Sequence, residues 1–323
     1  MEEPSCETAL KVRPAYREDR MIVYVDCSPF VQGLLAECAP PAAFRAFPGK
    51  PSPAELAERL AGATVALDSN TRFEADVFAR CPKLRSIVFL GSGAKNYIDL
   101  EAAAAAGVTV HTIKGYGDRS IAEHSFGLAL AAARQITTMD RNLRAGHWEP
   151  LDGLELKGAC FGVVGAGGIG RETARIAADF GMEVLVWNRS PLPEDLAPHA
   201  APLETLLARS DIVSLHLADV PETRGFAGCE FFAAMKKGAL FVNTARGALV
   251  DDEALIDALS SGQLAHAALD VFAVEPLPPD SPYLKLANVT LTAHAAFKTK
   301  RAAANLLKRG LALAAQELAR LDS

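Results

Sequence analysis

The chain has 323 residues, half of them hydrophobic and 22% charged, with a formal net charge of -6. That length can bury a large core and predicts two domains, and the composition is that of an ordinary soluble globular protein. The acidic balance gives no support to binding of nucleic acid or of an anionic membrane, and no apolar run is long enough to span a bilayer.

The first twenty residues are polar and charged, with neither the apolar core of a signal peptide nor the Arg-rich make-up of a transit peptide, so a cytoplasmic protein is expected. Met21 to Cys27 then reads as a strand. Beyond Pro40 and Pro41 come a helix at Pro53 to Ala61, a strand at Thr64 to Leu67, a helix near Phe73 to Arg80 and a strand at Ser86 to Leu90. Strands alternating with helices imply a parallel sheet covered on both faces. Leu90 runs into Gly91, Ser92, Gly93 and Ala94, with a helix at Asp99 to Ala106 beyond. Such a turn at a strand's carboxyl end is either an anion-holding concavity of backbone N–H groups or a flexible connection.

Around Gly115 and Gly117 the pattern changes. Ser120 and Glu123 match a capping box, which predicts one long helix from there to Arg144 with Gly146 as its stop, and an interdomain connection at its start. A second α/β domain follows, with strands at Phe161 to Val164, Glu183 to Trp187, Asp211 to Leu215, Ala239 to Val242, Ala265 to Asp270 and Asn288 to Thr292. Six strands with intervening helices fit the doubly wound dinucleotide fold. Thr299 to Leu321 is one amphipathic helix that can return to the first domain.

The first of these six strands leads into Gly165, Gly167 and Gly170, spaced G-x-G-x-x-G, and a helix starts at once. The first glycine permits the turn, the second lets a pyrophosphate approach the backbone, and the third lets helix and strand pack closely. Three glycines alone equally describe a packing turn; the strand before and the helix after favour the cofactor reading.

Ligands of open parallel sheets bind beyond the carboxyl ends of the strands. Arg246 follows the fourth strand of this domain, Glu275 the fifth and His294 the sixth. An arginine can hold a carboxylate and polarise a carbonyl, a histidine can give a proton to a carbonyl oxygen receiving hydride, and a nearby glutamate favours the protonated imidazole. Singly, each residue is better explained as a surface ion pair, a solvated loop acid or a strand-end histidine; their joint placement points to a 2-keto acid site. His111, His124, His147, His199 and His266 lack that placement and read as structural, as does His216 despite following the third strand. No histidine pair has metal-site spacing. The six cysteines, Cys6, Cys27, Cys38, Cys81, Cys160 and Cys229, form no C-x-x-C and read as buried or inert thiols.

The sequence resembles the D-isomer-specific 2-hydroxyacid dehydrogenases. The matching stretches are GYGDRSIAEHS (115–125), GVVGAGGIGRETA (162–174), SLHLADVPETRGF (214–226), FVNTARGALVDDEAL (241–255), ALDVFAVEPLP (268–278) and NVTLTAHAAF (288–297). The resemblance implies two doubly wound parallel-sheet α/β domains, with a Rossmann domain (118–297) inserted in a flavodoxin-like substrate domain (1–117 and 298–323). It places catalysis on Arg246, Glu275 and His294, and the substrate carboxylate on Gly91, Ser92, Gly93, Ala94 and Arg246. The cofactor falls to Gly165, Gly167, Gly168, Ile169, Gly170, Asn188, Arg189, Ser190, His216, Thr244, Ala245 and Asp270, the last at the nicotinamide amide. It further implies a homodimer, a small 2-keto or 2-hydroxy acid as substrate, no metal, and no nucleic-acid or membrane partner.

Some positions depart from the family. Ala218 and Ala293 replace common prolines, the stretch AKNYID after Gly93 is one residue longer than in many members, and His294-Ala-Ala-Phe297 is similar to the lactate-type branch. No regulatory domain follows, which argues against the role of the longer, NAD-linked phosphoglycerate dehydrogenases. A further alternative is a cofactor-sensing protein like the corepressors of the family. The acid that binds the adenosine ribose roughly 20 positions beyond the glycines is replaced by Asn188, followed by Arg189 and Ser190. A carboxylate there would oppose each unit of a 2′-phosphate's charge by on the order of 3 kcal/mol. Its replacement predicts NADP(H) as the preferred cofactor, with NAD(H) still usable.

Overall fold

The computed structural model describes residues 20–321; Cys6 and the polar start of the chain lie outside them. The chain divides into two compact units, one holding the described residues up to Tyr116 together with those from Lys300 onward, the other Gly117–Thr299.

The first unit runs β1 (Met21–Cys27), α1 (Pro29–Leu35), β2 (Phe44–Pro48), α2 (Pro53–Arg59), β3 (Ala63–Asp68), α3 (Ala75–Arg80), β4 (Ser86–Phe89), α4 (Leu100–Ala105) and β5 (Thr109–Thr112). All pairings are parallel, in the order β2-β1-β3-β4-β5. That is the flavodoxin-like arrangement, with its switch point between β1 and β3. β3 and β4 are buried along their whole lengths, as strands covered on both faces must be. β2 and β5, absent from the sequence reading, are the two edges. Both are half-exposed, so neither shows the apolar run that marks an inner strand.

The second unit opens with α5 (Asp118–Ala133) and α6 (Ile136–Arg144), which corrects the single long helix. Leu154 donates its N–H to the Ala133 carbonyl at 2.7 Å, and Gln135 turns into the left-handed region at φ 53°. A segment 21 residues downstream thus takes the acceptor that a continuing helix needs. The capping box is also absent. α5 starts earlier, at Asp118 with Gly117 as its cap, and Ser120 instead bonds the Thr299 hydroxyl at 2.8 Å while Glu123 pairs with Arg119 at 2.8 Å.

There follow β6 (Cys160–Val164), α7 (Gly168–Asp179), β7 (Glu183–Trp187), α8 (Leu203–Arg209), β8 (Ile212–Leu215), α9 (Cys229–Ala234), β9 (Ala239–Asn243), α10 (Asp252–Ser260), β10 (Leu264–Leu269) and β11 (Val289–Leu291). Their parallel sheet has the order β11-β10-β9-β8-β6-β7, and a single bridge from Val186 to Ala200 marks a vestigial strand beside β7. With it the order is that of the doubly wound dinucleotide fold, whose switch point lies between β6 and β8. Apolar side chains pack both faces, Phe231, Phe232 and Phe241 on one and Phe126, Phe161 and Ala177 on the other.

The last helix, α11 (Lys300–Arg320), belongs to the first unit. Its buried residues Leu307, Leu311, Ala314 and Leu318 recur every three or four positions and join β1, β3 and β4 in one core. No described helix is long and apolar enough to cross a membrane. Among the described residues no group of three or more His, Cys, Asp or Glu could hold a metal ion. Cys27, Cys81 and Cys160 are buried, and Cys229 is exposed.

Candidate active site

In the second unit the glycine loop follows β6. Gly165 adopts φ 107°, and a Cβ there would sit 2.8 Å from the His216 carbonyl carbon and oxygen, so a side chain is excluded both by conformation and by space. Gly167, by contrast, faces open space. It also caps α7 without any side chain bonding the helix's first N–H groups. Bare backbone, free N–H donors and a helix N-terminus together fit the pyrophosphate of a dinucleotide. Gly168 lies against Asp118 and Gly170 against the Gly165 carbonyl, while the Ile169 carbonyl accepts the Thr173 hydroxyl at 2.9 Å.

At the end of β7, Asn188 accepts the Ala166 N–H at 3.1 Å and donates to the carbonyl and hydroxyl of Ser190, each at 3.0 Å. Its amide therefore ties the glycine loop to the turn after β7. Arg189 and Ser190 are exposed. At the end of β8, His216 meets the Ser214 hydroxyl at 2.9 Å, and desolvation pushes its imidazole down to about 4.

The turn after β9 is built by Asn243, whose side-chain oxygen accepts the Ala245 N–H at 2.9 Å while its amide donates to the Arg246 carbonyl at 3.0 Å. Thr244 is buried, with its hydroxyl 2.5 Å from that of Ser125. Gly247 presses on the backbone of Phe272 and Ala273, where no side chain would fit. That contact sets the half-buried Arg246 beside the loop carrying Glu275. Burial works against ionisation of Glu275, yet hydrogen bonds from His294 and from the Phe272 N–H, with the charge of Arg246, hold its carboxyl below the usual range.

His294 donates from Nδ1 to Glu275 Oε2 at 2.6 Å. Its backbone is left-handed, φ 48°, and its N–H donates to the Asp270 carbonyl at 2.8 Å. Non-glycine residues in that region carry strain and persist only where neighbours over-determine them. Here the Asp270 carboxylate does so. Fully buried, it accepts from the Thr292 hydroxyl at 2.6 Å, the Ala295 N–H at 2.8 Å and the Ala296 N–H at 3.0 Å. Burial alone would raise its pKa, but His124, Thr292 and the two N–H groups hold it at about 2. The structure thus brings Arg246, Asp270, Glu275 and His294 together at one edge of one sheet. Gly91, Ser92, Gly93 and Ala94 stand in the other unit after β4, where Gly91 has φ 155° and its carbonyl accepts the Ile113 N–H at 2.9 Å.

Two residues of this region escaped the sequence reading. Thr292, two positions before His294 at a strand end, carries a local signal; His124, set aside there as structural, carries none.

A doubly wound domain whose first strand runs into a bare glycine turn and a helix N-terminus is of the dinucleotide-binding class. Residues 126–296 match the D-isomer specific 2-hydroxyacid dehydrogenase, NAD binding domain, and the chain belongs to that family. It is 41% identical over 232 residues to a glyoxylate reductase of Korarchaeum cryptofilum, covering 69% of this chain and 70% of that one. It is 38% identical over 247 residues to a D-3-phosphoglycerate dehydrogenase of Archaeoglobus fulgidus, covering 75% of this chain but only 47% of the relative. Among solved structures, the one for the pyruvate reductase of Chlamydomonas reinhardtii superposes with a TM-score of 0.82 at 30% identity, covering 93% of this chain and 96% of that one.

Proposed function

We propose that the chain reduces small 2-keto acids to D-2-hydroxy acids with NADP(H), and does so faster than with NAD(H). The observation that carries this reading is the 2.6 Å hydrogen bond between His294 and Glu275, next to Arg246. Because a carboxylate only accepts, His294 Nδ1 carries the hydrogen of that bond, and Nε2 is the ring atom left to give a proton to the substrate. When bound, the nicotinamide supplies the hydride that C2 of the keto acid receives. Arg246 holds the substrate's carboxylate and polarises its carbonyl, and His294 delivers the proton to the carbonyl oxygen. Gly165 to Gly170 with the start of α7 take the pyrophosphate, whereas the nicotinamide-amide role of Asp270, whose carboxylate is fully buried, rests on the family resemblance alone. Assignment of Gly91, Ser92, Gly93 and Ala94 to the substrate carboxylate rests on the family resemblance alone.

The cofactor preference rests on the turn after β7. Asn188 uses its amide inside the turn, the five residues after it carry no carboxylate, and Arg189 is exposed with no ion pair among the described residues. A guanidinium and a serine hydroxyl suit a 2′-phosphate. We also infer a homodimer. α6 has no buried residue, and Ile136, Leu143 and Trp148 are exposed on it and just after it, an apolar surface that a second copy would cover.

A panel of glyoxylate, hydroxypyruvate, pyruvate and larger keto acids, assayed with both reduced cofactors, tests the reading. Turnover should be found with at least one small acid, and His294→Ala should lower it by about 10²- to 10⁴-fold while cofactor binding survives. On the best substrate, kcat/KM should favour NADPH, and a clear preference for NADH would reject the role given to Arg189 and Ser190. Tight cofactor binding without turnover on any acid would replace the enzyme by a cofactor sensor.

A further inference from the structure

We propose that His124, on α5, is a positioning residue for the reaction, acting through Thr292 and Asp270 to hold the turn that presents His294. His124 Nε2 lies 3.1 Å from the Thr292 hydroxyl oxygen and 3.5 Å from Asp270 Oδ1. The direction of the chain of hydrogen bonds follows from its last member. Ionised Asp270 can only accept, so Thr292 gives its single hydrogen to Oδ1 at 2.6 Å. The hydroxyl oxygen then has lone pairs alone to offer His124, and Nε2 must carry the hydrogen. Reversal at any link would leave two hydrogens or two lone pairs facing each other.

The same carboxylate gathers the N–H groups of Ala295 and Ala296, and the Asp270 carbonyl gathers that of His294, whose backbone is left-handed. Four hydrogen bonds from the turn Thr292 to Ala296 therefore meet at Asp270, and His124 is the donor that reaches it from a helix. Ser125, the next residue on α5, bonds the Thr244 hydroxyl at 2.5 Å. α5 thus touches the ends of both β9 and β11, the strands that lead to Arg246 and His294. Loss of the His124 donor leaves Thr292 and the carboxylate without their tie to α5 and loosens the turn, and a misplacement of this kind can cost up to about a hundredfold in rate.

The proposal rests on the role given to His294 above. His124→Gln keeps an N–H donor at the reach of Nε2, whereas the shorter amide of His124→Asn falls short of Thr292. With the best keto acid, His124→Asn should lose about tenfold in kcat with little change in KM or in melting temperature, and His124→Gln should recover most of that loss. In a Thr292→Val background, His124→Asn should cost nothing further, because the link is already cut. Equal rates for His124→Asn and the parent protein, equal losses in the Asn and Gln variants, or additive losses with Thr292→Val would each overturn the proposal. His294→Asn, run alongside, separates the two readings. If it still turns over, the acid/base assignment fails; if it is dead while His124→Asn is silent, only the positioning role fails.

Discussion

Asp68 ends the parallel strand β3 of the first unit and Asp270 directly follows the parallel strand β10 of the second, and both are fully buried. Their protons behave in opposite ways. Burial pushes the Asp68 carboxyl well above the usual range, and the neighbouring charge of Asp26 adds to it; Asp270, less deeply buried though also without exposed surface, is held at about 2. The difference lies in donors. Asp270 receives a hydroxyl, two backbone N–H groups and the approach of His124, whereas Asp68 Oδ1 receives only the Thr71 N–H, and Oδ2 has no partner. The other donors of that loop, the N–H groups of Ser69 and Asn70 and the Thr71 hydroxyl, all go to Asp26. A buried carboxyl is therefore ionised or neutral according to how its loop shares out a few N–H and O–H groups. In the second unit the outcome is a fixed negative charge beside His294. In the first it is a carboxyl pushed toward its neutral form.

One substitution made at both sites breaks or confirms that contrast. Asp270→Asn replaces an accepting oxygen by an N–H₂ that faces other donors, and should cost roughly 2–4 kcal/mol in urea unfolding of the second unit. Asp68→Asn keeps the oxygen for Thr71 and puts a neutral amide where burial already disfavours the charge, so it should be neutral or stabilising at pH 7. Equal destabilisation by the two variants would show that burial, and not the supply of donors, decides the state of each acid.

How much of this could be read from the sequence depends on range. The glycine turn and the strand ends bearing Arg246, Glu275 and His294 are local patterns, an apolar run followed by a polar or glycine residue. The edge strands β2 and β5 are half-exposed and show no such run, and the break before Gln135 is made by the N–H of Leu154, whose position the helix pattern does not encode. His124 bonds a residue 168 positions away, and nothing near it in sequence distinguishes it from the other histidines. Asp68 was invisible for a related reason. It is the last residue of an apolar strand, and its state is set by burial and then by Asp26, which only the parallel pairing of β1 and β3 brings near.

The smallest expected effect is the pH dependence, and its sign differs between the units. Asp270 has a folded pKa of about 2, below the unfolded value near 4, so its contribution is present above that range and is lost only as the pH falls toward 2. Asp68 has a folded pKa above the unfolded value, so its contribution is complete at acid pH and fades as the pH rises through the folded value. The neighbouring thiol and phenol add nothing to this slope between pH 5 and pH 9. Burial pushes the Cys27 thiol up to about 12 and the Tyr24 phenol well above its ordinary value. Trp148 and Trp187 both lie in the second unit, so fluorescence follows Asp270, whereas hydrogen exchange of the β1 and β3 amides follows Asp68. Between pH 5 and pH 9, opening free energies of β1 and β3, corrected for intrinsic exchange, should fall in the parent protein and stay level in Asp68→Asn. A flat profile in the parent protein would mean that Asp68 is ionised throughout, in which case its unpartnered Oδ2 must meet a donor that the loop of Ser69 to Thr71 does not supply.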